Sequence, residues 1–249
     1  MFHEIQNKLT EIEQQHNIQI VYACESGSRA WGFPSTDSDY DVRFIYALPR
    51  NQYLSIEERK DTIDIPVNEV LDINGWDLRK SLRLFYSSNV ALYEWLQSPV
   101  IYKQDDSFLK ALKPLMPGYF SLRKGMHHYS GMAKNAWTEL QSDDVKIKKY
   151  FYCLRPLLAA RWIVEKQELP PMEFSKLRIQ ISDRNWQNAV DKLLAIKAQA
   201  TEKTTIQPVP VLNAFIEEQM AFCEQHIPSI NKEEIDTTPL NILFRNLIV

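Results

Sequence analysis

The feature that most constrains the fold is a pair of predicted strands between residues 18 and 47. Residues 18–23 (IQIVYA) are short, apolar and β-branched, which predicts a buried strand. Gly27 and Ser28 follow at the expected junction between this strand and a helix. From Asp39 the sequence DYDVRFIYA alternates between polar and apolar residues, as a half-buried strand does. The segment therefore predicts two strands connected by a glycine-containing turn and a polar loop.

The second strand is predicted to carry two carboxylates side by side. Residues two apart on a strand face the same way, so Asp39, Asp41 and Arg43 share one face. Arg43 either forms a salt bridge there or contacts a substrate. Neighbouring carboxylates repel each other, and a divalent cation offsets that repulsion. Mg²⁺ typically binds one or two carboxylates plus substrate phosphates. Two such ions can stabilise both the attacking and the leaving oxygen of a phosphoryl displacement.

The glycine turn supplies the second half of a nucleotide site. Gly27 lets a phosphate approach the backbone closely, because glycine has no Cβ. The amides that begin the following helix, together with the Ser28 hydroxyl, can hold an anion. A phosphate-binding turn next to a carboxylate pair predicts a nucleoside-triphosphate site that uses Mg²⁺ or Mn²⁺, with two ions expected.

The rest of the chain divides into a mixed part and a helical part. The first part is predicted to begin with a helix that ends at Asn17 and to contain extended segments at 63–66 and 67–73, joined by a turn near Asn68 or by a bulge. Helices are predicted at 76–86 and, capped by Asn89, up to Gln97. Helices are then predicted at 105–115, 119–140, 144–166, 185–201 and 209–226. The apolar tail 239–249 is predicted to pack on the body of the protein or on a partner. These patterns predict two domains, 1–100 and 101–249, with the helical domain forming the other wall of a cleft.

Composition excludes several classes of protein. The 29 basic and 32 acidic residues give a net charge of −3, which argues against a protein held to nucleic acid by a basic coat. The three cysteines lie far apart, which argues against a disulfide framework or a structural zinc site. Neither a Rossmann nor a P-loop motif occurs. The sequence has no apolar run typical of a membrane span or a signal peptide, so we expect a cytoplasmic protein without membrane contact.

The run GSRAWGFPSTDSDYDVRFIY (27–46) resembles the DNA polymerase β-like nucleotidyltransferase superfamily, and more specifically its RNA-repair-associated RlaP type. Segments 75–99, 148–162 and 170–171 fit the same type, so the resemblance covers about residues 15–175. It implies an α+β fold, with a small mixed β-sheet and flanking helices as the palm and an all-helical C-terminal domain. It further implies Mg²⁺-dependent transfer of a nucleoside monophosphate from a nucleoside triphosphate to a hydroxyl acceptor, with an RNA end favoured.

The resemblance also implies a third carboxylate on a neighbouring strand, acting as a metal ligand or a general base. Asp72 is the first choice, because it ends an apolar run just before the turn expected at Gly75. Asp64, Glu69 and Asp77 are the alternatives, and Asp77 is weaker because it is predicted to begin a helix.

Basic residues on the predicted helix 144–166 have two interpretations. Lys148 and Arg155 share one flank of its apolar stripe, Lys149 projects from the far side, and Pro156 is expected to kink or end the helix. A charged flank is usually solvated, whereas the resemblance implies that one of these three cations binds the triphosphate.

Two functions compete with nucleotidyl transfer on the same fold. One is a non-catalytic, nucleotide-binding or toxin–antitoxin-like regulatory protein, and the other is a hydrolase that transfers the nucleotide to water. Since both members of the Asp39–Asp41 pair are present, the sequence favours a catalytic protein.

Overall fold

The computed structural model describes residues 1–57, 59–65, 70–227 and 236–248. The protein has an α+β fold, as predicted from the sequence. Its five-stranded mixed sheet has the order β3-β4-β2-β1-β5, in which only β2 and β4 are parallel neighbours. The strands are β1 (Gln19–Glu25), β2 (Tyr40–Ala47), β3 (Thr62–Ile65), β4 (Leu71–Asp77) and β5 (Ile101–Gln104).

Thirteen α-helices lie in the described part of the chain, with a 3₁₀ turn at Lys113–Leu115 and a two-stranded ribbon of β6 (Val145–Lys146) and β7 (Thr205–Ile206). The helices are α1 (Phe2–His16), α2 (Gly27–Trp31), α3 (Arg50–Tyr53), α4 (Leu78–Tyr86), α5 (Val90–Trp95), α6 (Asp106–Leu112), α7 (Met116–Tyr119), α8 (Leu122–Thr138), α9 (Ile147–Lys166), α10 (Phe174–Arg178), α11 (Arg184–Gln199), α12 (Pro210–Gln225) and α13 (Thr238–Leu247). None of the helices in these described ranges is long and apolar enough to cross a membrane.

The chain forms two compact units. The sheet unit comprises Met1–Gly27, Asp39–Phe120 and Glu233–Val249, and the helical unit comprises Ser28–Ser38 and Ser121–Lys232. Residues 101–120 group with the sheet, since β5 pairs with β1. This grouping differs from the predicted boundary near residue 100, and the two-domain division itself stays a prediction.

One face of the sheet packs against α1. Ile5, Leu9 and Ile12 are fully buried on α1, as their helical spacing predicts, and they share a core with Val42 and Phe44 of β2. Since side chains alternate along a strand, Asp41 and Arg43, on either side of Val42, must face the other way. This alternation directs Asp41 and Arg43 away from the α1 core.

The C-terminal end of β4 differs from the prediction. Gly75 lies within β4, and a Cβ on it would come 2.2 Å from the Phe44 ring, so glycine is needed for close packing and not for a turn. Trp76 and Asp77 also belong to β4, because the parallel pairing with β2 extends to Asp77. The predicted helix therefore begins at Leu78, two residues later than expected.

Asp77 is the N-cap of α4. Its carboxylate accepts hydrogen bonds from the Arg79 N–H at 2.8 Å, the Lys80 N–H at 3.3 Å and the Tyr53 hydroxyl at 2.7 Å. Burial raises the pKa of the Asp77 carboxyl. All of these contacts are structural, as expected for a residue that satisfies the free amides of a helix start.

We expect Asp77→Ala to lower the free energy of unfolding by about 1–2 kcal/mol, because a lost N-cap typically costs that amount. Chemical denaturation monitored by circular dichroism measures this. Asp64→Ala is the matched control at the exposed position of strand β3 and should change stability by less than about 0.5 kcal/mol. Equal stability of the Asp77 variant and the wild type would contradict the capping role.

The loop between the two predicted strands packs into the helical unit. Phe33 stacks on Phe151 with ring centroids 4.9 Å apart, and its edge meets Phe174. Trp31 contacts Phe33, and its ring centroid lies 4.3 Å from the Arg155 guanidinium carbon, so Trp31 packs within the helical unit.

Two further predictions concern helices. Helix α9 continues to Lys166 with Pro156 inside it, so the expectation that Pro156 could end the helix is wrong. The apolar tail packs on the body of the protein, as predicted, because α13 buries Leu240, Leu243 and Leu247 within the sheet unit.

Candidate active site

Asp41 and Asp72 lie next to each other on the parallel strands β2 and β4. They are direct partners in the strand register. The Arg43 guanidinium bridges them, with Nη2 2.7 Å from Asp72 Oδ2 and 3.2 Å from Asp41 Oδ1. The two carboxylates and the guanidinium therefore form one cluster on the sheet face that points away from α1. The sequence did not decide whether Arg43 forms a salt bridge or contacts a substrate. The structure shows the salt bridge. A role of Arg43 in nucleotide binding stays a prediction.

Gly27 lies directly against the Asp41 carboxylate. A Cβ placed on Gly27 would be 1.9 Å from Asp41 Oδ2, which is far inside van der Waals contact. Gly27 also has a φ of +61°, a conformation that side chains other than glycine rarely adopt. Both the backbone conformation and the space next to Asp41 therefore require glycine at this position.

Glu25 holds the backbone of Asp41 in place. It is 1% exposed at the end of β1, and its Oε1 accepts a hydrogen bond from the Asp41 N–H at 2.8 Å. Its Oε2 accepts a hydrogen bond from the Tyr102 hydroxyl. The Ser26 N–H donates to the Asp41 carbonyl at 2.8 Å. Asp41 is thus fixed at both its N–H and its carbonyl. Sequence reasoning missed Glu25, although an acidic residue at the end of a buried strand was a usable signal.

We expect Glu25→Leu to lower kcat about tenfold, equivalent to 1.36 kcal/mol of transition-state stabilisation. The apolar side chain removes the acceptor that Glu25 offers to the Asp41 N–H and the Tyr102 hydroxyl. A buried donor that loses its acceptor typically costs about 1–3 kcal/mol. Glu25→Gln keeps an acceptor and should retain most of the activity. Steady-state kinetics of both variants measures the difference, and equal kcat values for Leu and Gln would contradict a positioning role.

The structure separates the candidates for the third carboxylate by position. Asp72 lies beside Asp41, whereas Asp77 is committed to its helix cap. Asp64 lies one strand further out on β3, where it accepts a hydrogen bond from Asn74, its partner in the register. Glu69 lies outside the described residues. This arrangement favours Asp72, whose catalytic role stays a prediction.

The oxygen donors of this cluster suit a hard divalent cation. No three His, Cys, Asp or Glu side chains within the described ranges are grouped to hold an ion on their own. Mg²⁺ bound together with a substrate needs only one or two protein carboxylates, because phosphate oxygens and waters complete its coordination. Asp41 and Asp72 supply such a pair, and Asp39 lies exposed one residue before β2. These residues therefore fit Mg²⁺ or Mn²⁺.

A family model described as RlaP, RNA repair pathway DNA polymerase beta family, matches residues 1–246. The chain belongs to this family. It is 41% identical over 251 residues to the uncharacterized protein YcgL from Bacillus subtilis (strain 168), covering 100% of this chain and 96% of that protein. A solved structure, a nucleotidyltransferase-like protein from Exiguobacterium sibiricum 255-15, is similar at 13% identity and a TM-score of 0.30, covering 90% of this chain and 74% of that chain. The family resemblance seen in the sequence is thus confirmed.

The basic residues that the RlaP resemblance suggested for the triphosphate all have partners within the helical unit. Lys148 forms an ion pair with Glu202 at 2.5 Å, and Lys149 forms one with Glu139 at 2.6 Å. Arg155 is 1% exposed and donates from Nε to the Met172 carbonyl at 3.0 Å, so it does not belong to a solvated flank. Nucleotide binding by Lys148, Lys149 or Arg155 stays a prediction.

Ser28 lies buried in the helical unit, where its hydroxyl donates to Ser38 Oγ at 3.2 Å. Ser35, which is also buried, lies 3.0 Å from Ser38 Oγ and receives a hydrogen bond from Lys197 Nζ. Lys197 is a cation that sequence reasoning missed, since its position on α11 gave no sign of burial. Ser28 as a phosphate-binding residue stays a prediction.

Proposed function

We propose that the protein is a nucleotidyltransferase that transfers a nucleoside monophosphate from a nucleoside triphosphate to a hydroxyl acceptor and releases pyrophosphate. The observation that carries this proposal is the position of Asp41, beside Asp72 on parallel strands and against the Cα of Gly27. Membership of a DNA polymerase beta family supports the same reaction class.

In the proposed reaction, the acceptor oxygen forms a bond to the α-phosphorus as the bond to the bridging oxygen of pyrophosphate breaks. Asp72, whose side chain is half-exposed beside Asp41, acts in this proposal either as the base that takes the proton of the acceptor hydroxyl or as a metal ligand. Mg²⁺ or Mn²⁺, held by Asp39, Asp41 and Asp72, would supply charge neutralisation for the triphosphate and the developing oxyanion. Gly27 and Ser28 hold the β- and γ-phosphates, and Glu25 keeps Asp41 in position.

We further propose an RNA end as the acceptor. The description of the family as part of an RNA repair pathway supports this choice. The net charge of −3 argues against long duplex DNA, because binding duplex DNA depends on neutralising many phosphates. A strand end presents few phosphates and one terminal hydroxyl.

The test incubates the protein with each α-labelled nucleoside triphosphate, Mg²⁺ and a short single-stranded RNA. The same RNA blocked by a 3′ phosphate and a DNA duplex of equal length are the controls. We expect label on the RNA that carries a free 3′ hydroxyl. Label found only in the free nucleoside monophosphate indicates a hydrolase, and bound but unchanged nucleotide indicates a non-catalytic protein. Either result contradicts the proposal.

A further inference from the structure

Lys197 is a buried cation with little to balance it. Lys197 lies on α11 and is only 2% exposed. Lysine is almost never fully buried unless it is paired. Among the described residues its one hydrogen-bond partner is Ser35 Oγ, at 3.0 Å, and no carboxylate there lies within ion-pair distance of Nζ. A buried ammonium that contacts one neutral hydroxyl is a costly arrangement, which calls for a reason.

Three buried serines connect Lys197 to the predicted phosphate-binding turn. Ser35 Oγ lies 3.0 Å from Ser38 Oγ, and Ser28 Oγ lies 3.2 Å from Ser38 Oγ. The Ser35 N–H also donates to Ser38 Oγ at 2.9 Å, and Arg29 donates to the Ser38 carbonyl at 2.7 Å. We call Ser28, Ser35, Ser38 and Lys197 the serine–lysine cluster. All four of its members belong to the helical unit.

The hydrogen-bond donors of this cluster outnumber its acceptors. Lys197 is a donor only, and each serine hydroxyl has one proton to donate. Ser38 Oγ accepts from the Ser28 hydroxyl and the Ser35 N–H, so its own proton must go to Ser35 Oγ. Ser35 Oγ then accepts from both Lys197 and Ser38, and its own proton has no acceptor in the cluster.

An anion that accepts the Ser28 proton changes this arrangement. Ser38 Oγ then loses one of its donors and can accept the Ser35 proton. Lys197, the charged donor at the far end, is coupled in this way through Ser35 and Ser38 to the Ser28 hydroxyl. Hydrogen bonds in such a chain strengthen one another, and a charged donor at its start adds to the effect.

Charged groups outside the cluster also act on Lys197. Asp37 and Glu202 provide negative potential, Lys148 provides positive potential, and burial lowers the pKa of Lys197. Glu202 is itself paired with Lys148. The cluster itself carries only the positive charge of Lys197, which a phosphate would offset.

We infer that Lys197 acts through Ser35 and Ser38 to present the Ser28 hydroxyl to the terminal phosphate of a nucleoside triphosphate. The inference deepens the proposed function and rests on it for the identity of the ligand. In the proposed function Gly27 and Ser28 hold the β- and γ-phosphates. Lys197 is therefore a positioning residue that favours triphosphates over monophosphates.

The test is calorimetric titration with inorganic tripolyphosphate and orthophosphate, which report on phosphate binding without a base. We expect Lys197→Met to weaken the binding of tripolyphosphate, and of any orthophosphate that occupies the same subsite, about tenfold, the size of one lost charge-assisted hydrogen bond. Ser35→Ala cuts the chain next to Lys197 and should cause a similar loss. Lys192→Met, an exposed lysine on the same helix, is the matched control and should bind like the wild type.

A double-mutant cycle separates this role from a merely structural one. In a Ser28→Ala background, Lys197→Met should cause little additional loss, because its effect passes through the Ser28 hydroxyl. Wild-type tripolyphosphate affinity in a folded Lys197→Met protein overturns the inference, as do additive losses in the cycle. If Lys197→Met does not fold, wild-type affinity in Ser35→Ala overturns it.

Label transfer, assayed separately, distinguishes failure of this inference from failure of the proposed function. If the wild type transfers label and Lys197→Met binds tripolyphosphate as tightly as the wild type, only the inference is rejected. Tripolyphosphate binding that depends on Lys197, in a wild type that transfers no label, supports the inference and rejects the proposed function.

Discussion

Asp41→Asn is expected to lower the rate of label transfer by at least about 10²–10³-fold, the typical cost of losing one group that stabilises charge in the transition state. Asparagine keeps the shape of the side chain but removes the negative charge beside Asp72 and Arg43. The contacts of the Asp41 backbone with Glu25 and Ser26 do not depend on the carboxylate, so the fold should be retained.

The measurement compares single-turnover rates of wild type, Asp41→Asn and Asp64→Asn, with circular dichroism as the check on folding. Asp64→Asn is the matched control, because it also removes one strand carboxylate of the same sheet but lies on β3. It should transfer label at close to the wild-type rate. An Asp41→Asn protein that is folded and fully active would contradict the assignment of Asp41.

Gly27→Ala is expected to reduce transfer to a similar extent. The new methyl group would occupy the space of the Asp41 carboxylate, which must then move or rotate. The positive φ of Gly27 adds strain of about 1–3 kcal/mol for a residue with a Cβ. A displacement of about 1 Å at a catalytic group commonly costs on the order of 10²-fold in rate.

Gly32→Ala is the matched control for Gly27→Ala. Gly32 also has a positive φ, +92°, but a Cβ there would meet nothing within 4 Å. Comparing the two variants separates backbone strain from contact with Asp41: both should lose some stability, and only Gly27→Ala should lose transfer. Equal transfer rates in the two variants would contradict the steric argument.

The fold was largely predictable because its signals are local. The spacing of Ile5, Leu9 and Ile12 defines α1, which ends where Asn17 adopts a left-handed conformation with φ of 50°. The alternation along β2 correctly separates buried Val42 and Phe44 from Asp41 and Arg43. β5 was missed, because the four residues of Ile101–Gln104 carry too short a pattern to stand out.

The acidic part of the candidate site was also visible in the sequence, since Gly27, Asp39 and Asp41 lie within one short segment. The supporting residues were not visible, because their partners lie far along the chain. Tyr102 is 77 residues from Glu25, and Lys197 is 162 residues from Ser35. Arg155 shows the same limit: a helical flank predicts solvent exposure, but packing under Trp31 buries it.

The most direct test of nucleotidyl transfer is the ratio of pyrophosphate released to α-label gained by the acceptor. The account predicts equal molar amounts with wild type and RNA carrying a free 3′ hydroxyl, and neither product above background with Asp41→Asn. Release of pyrophosphate with all label in free nucleoside monophosphate, or no pyrophosphate from a protein that binds the nucleotide, would contradict it.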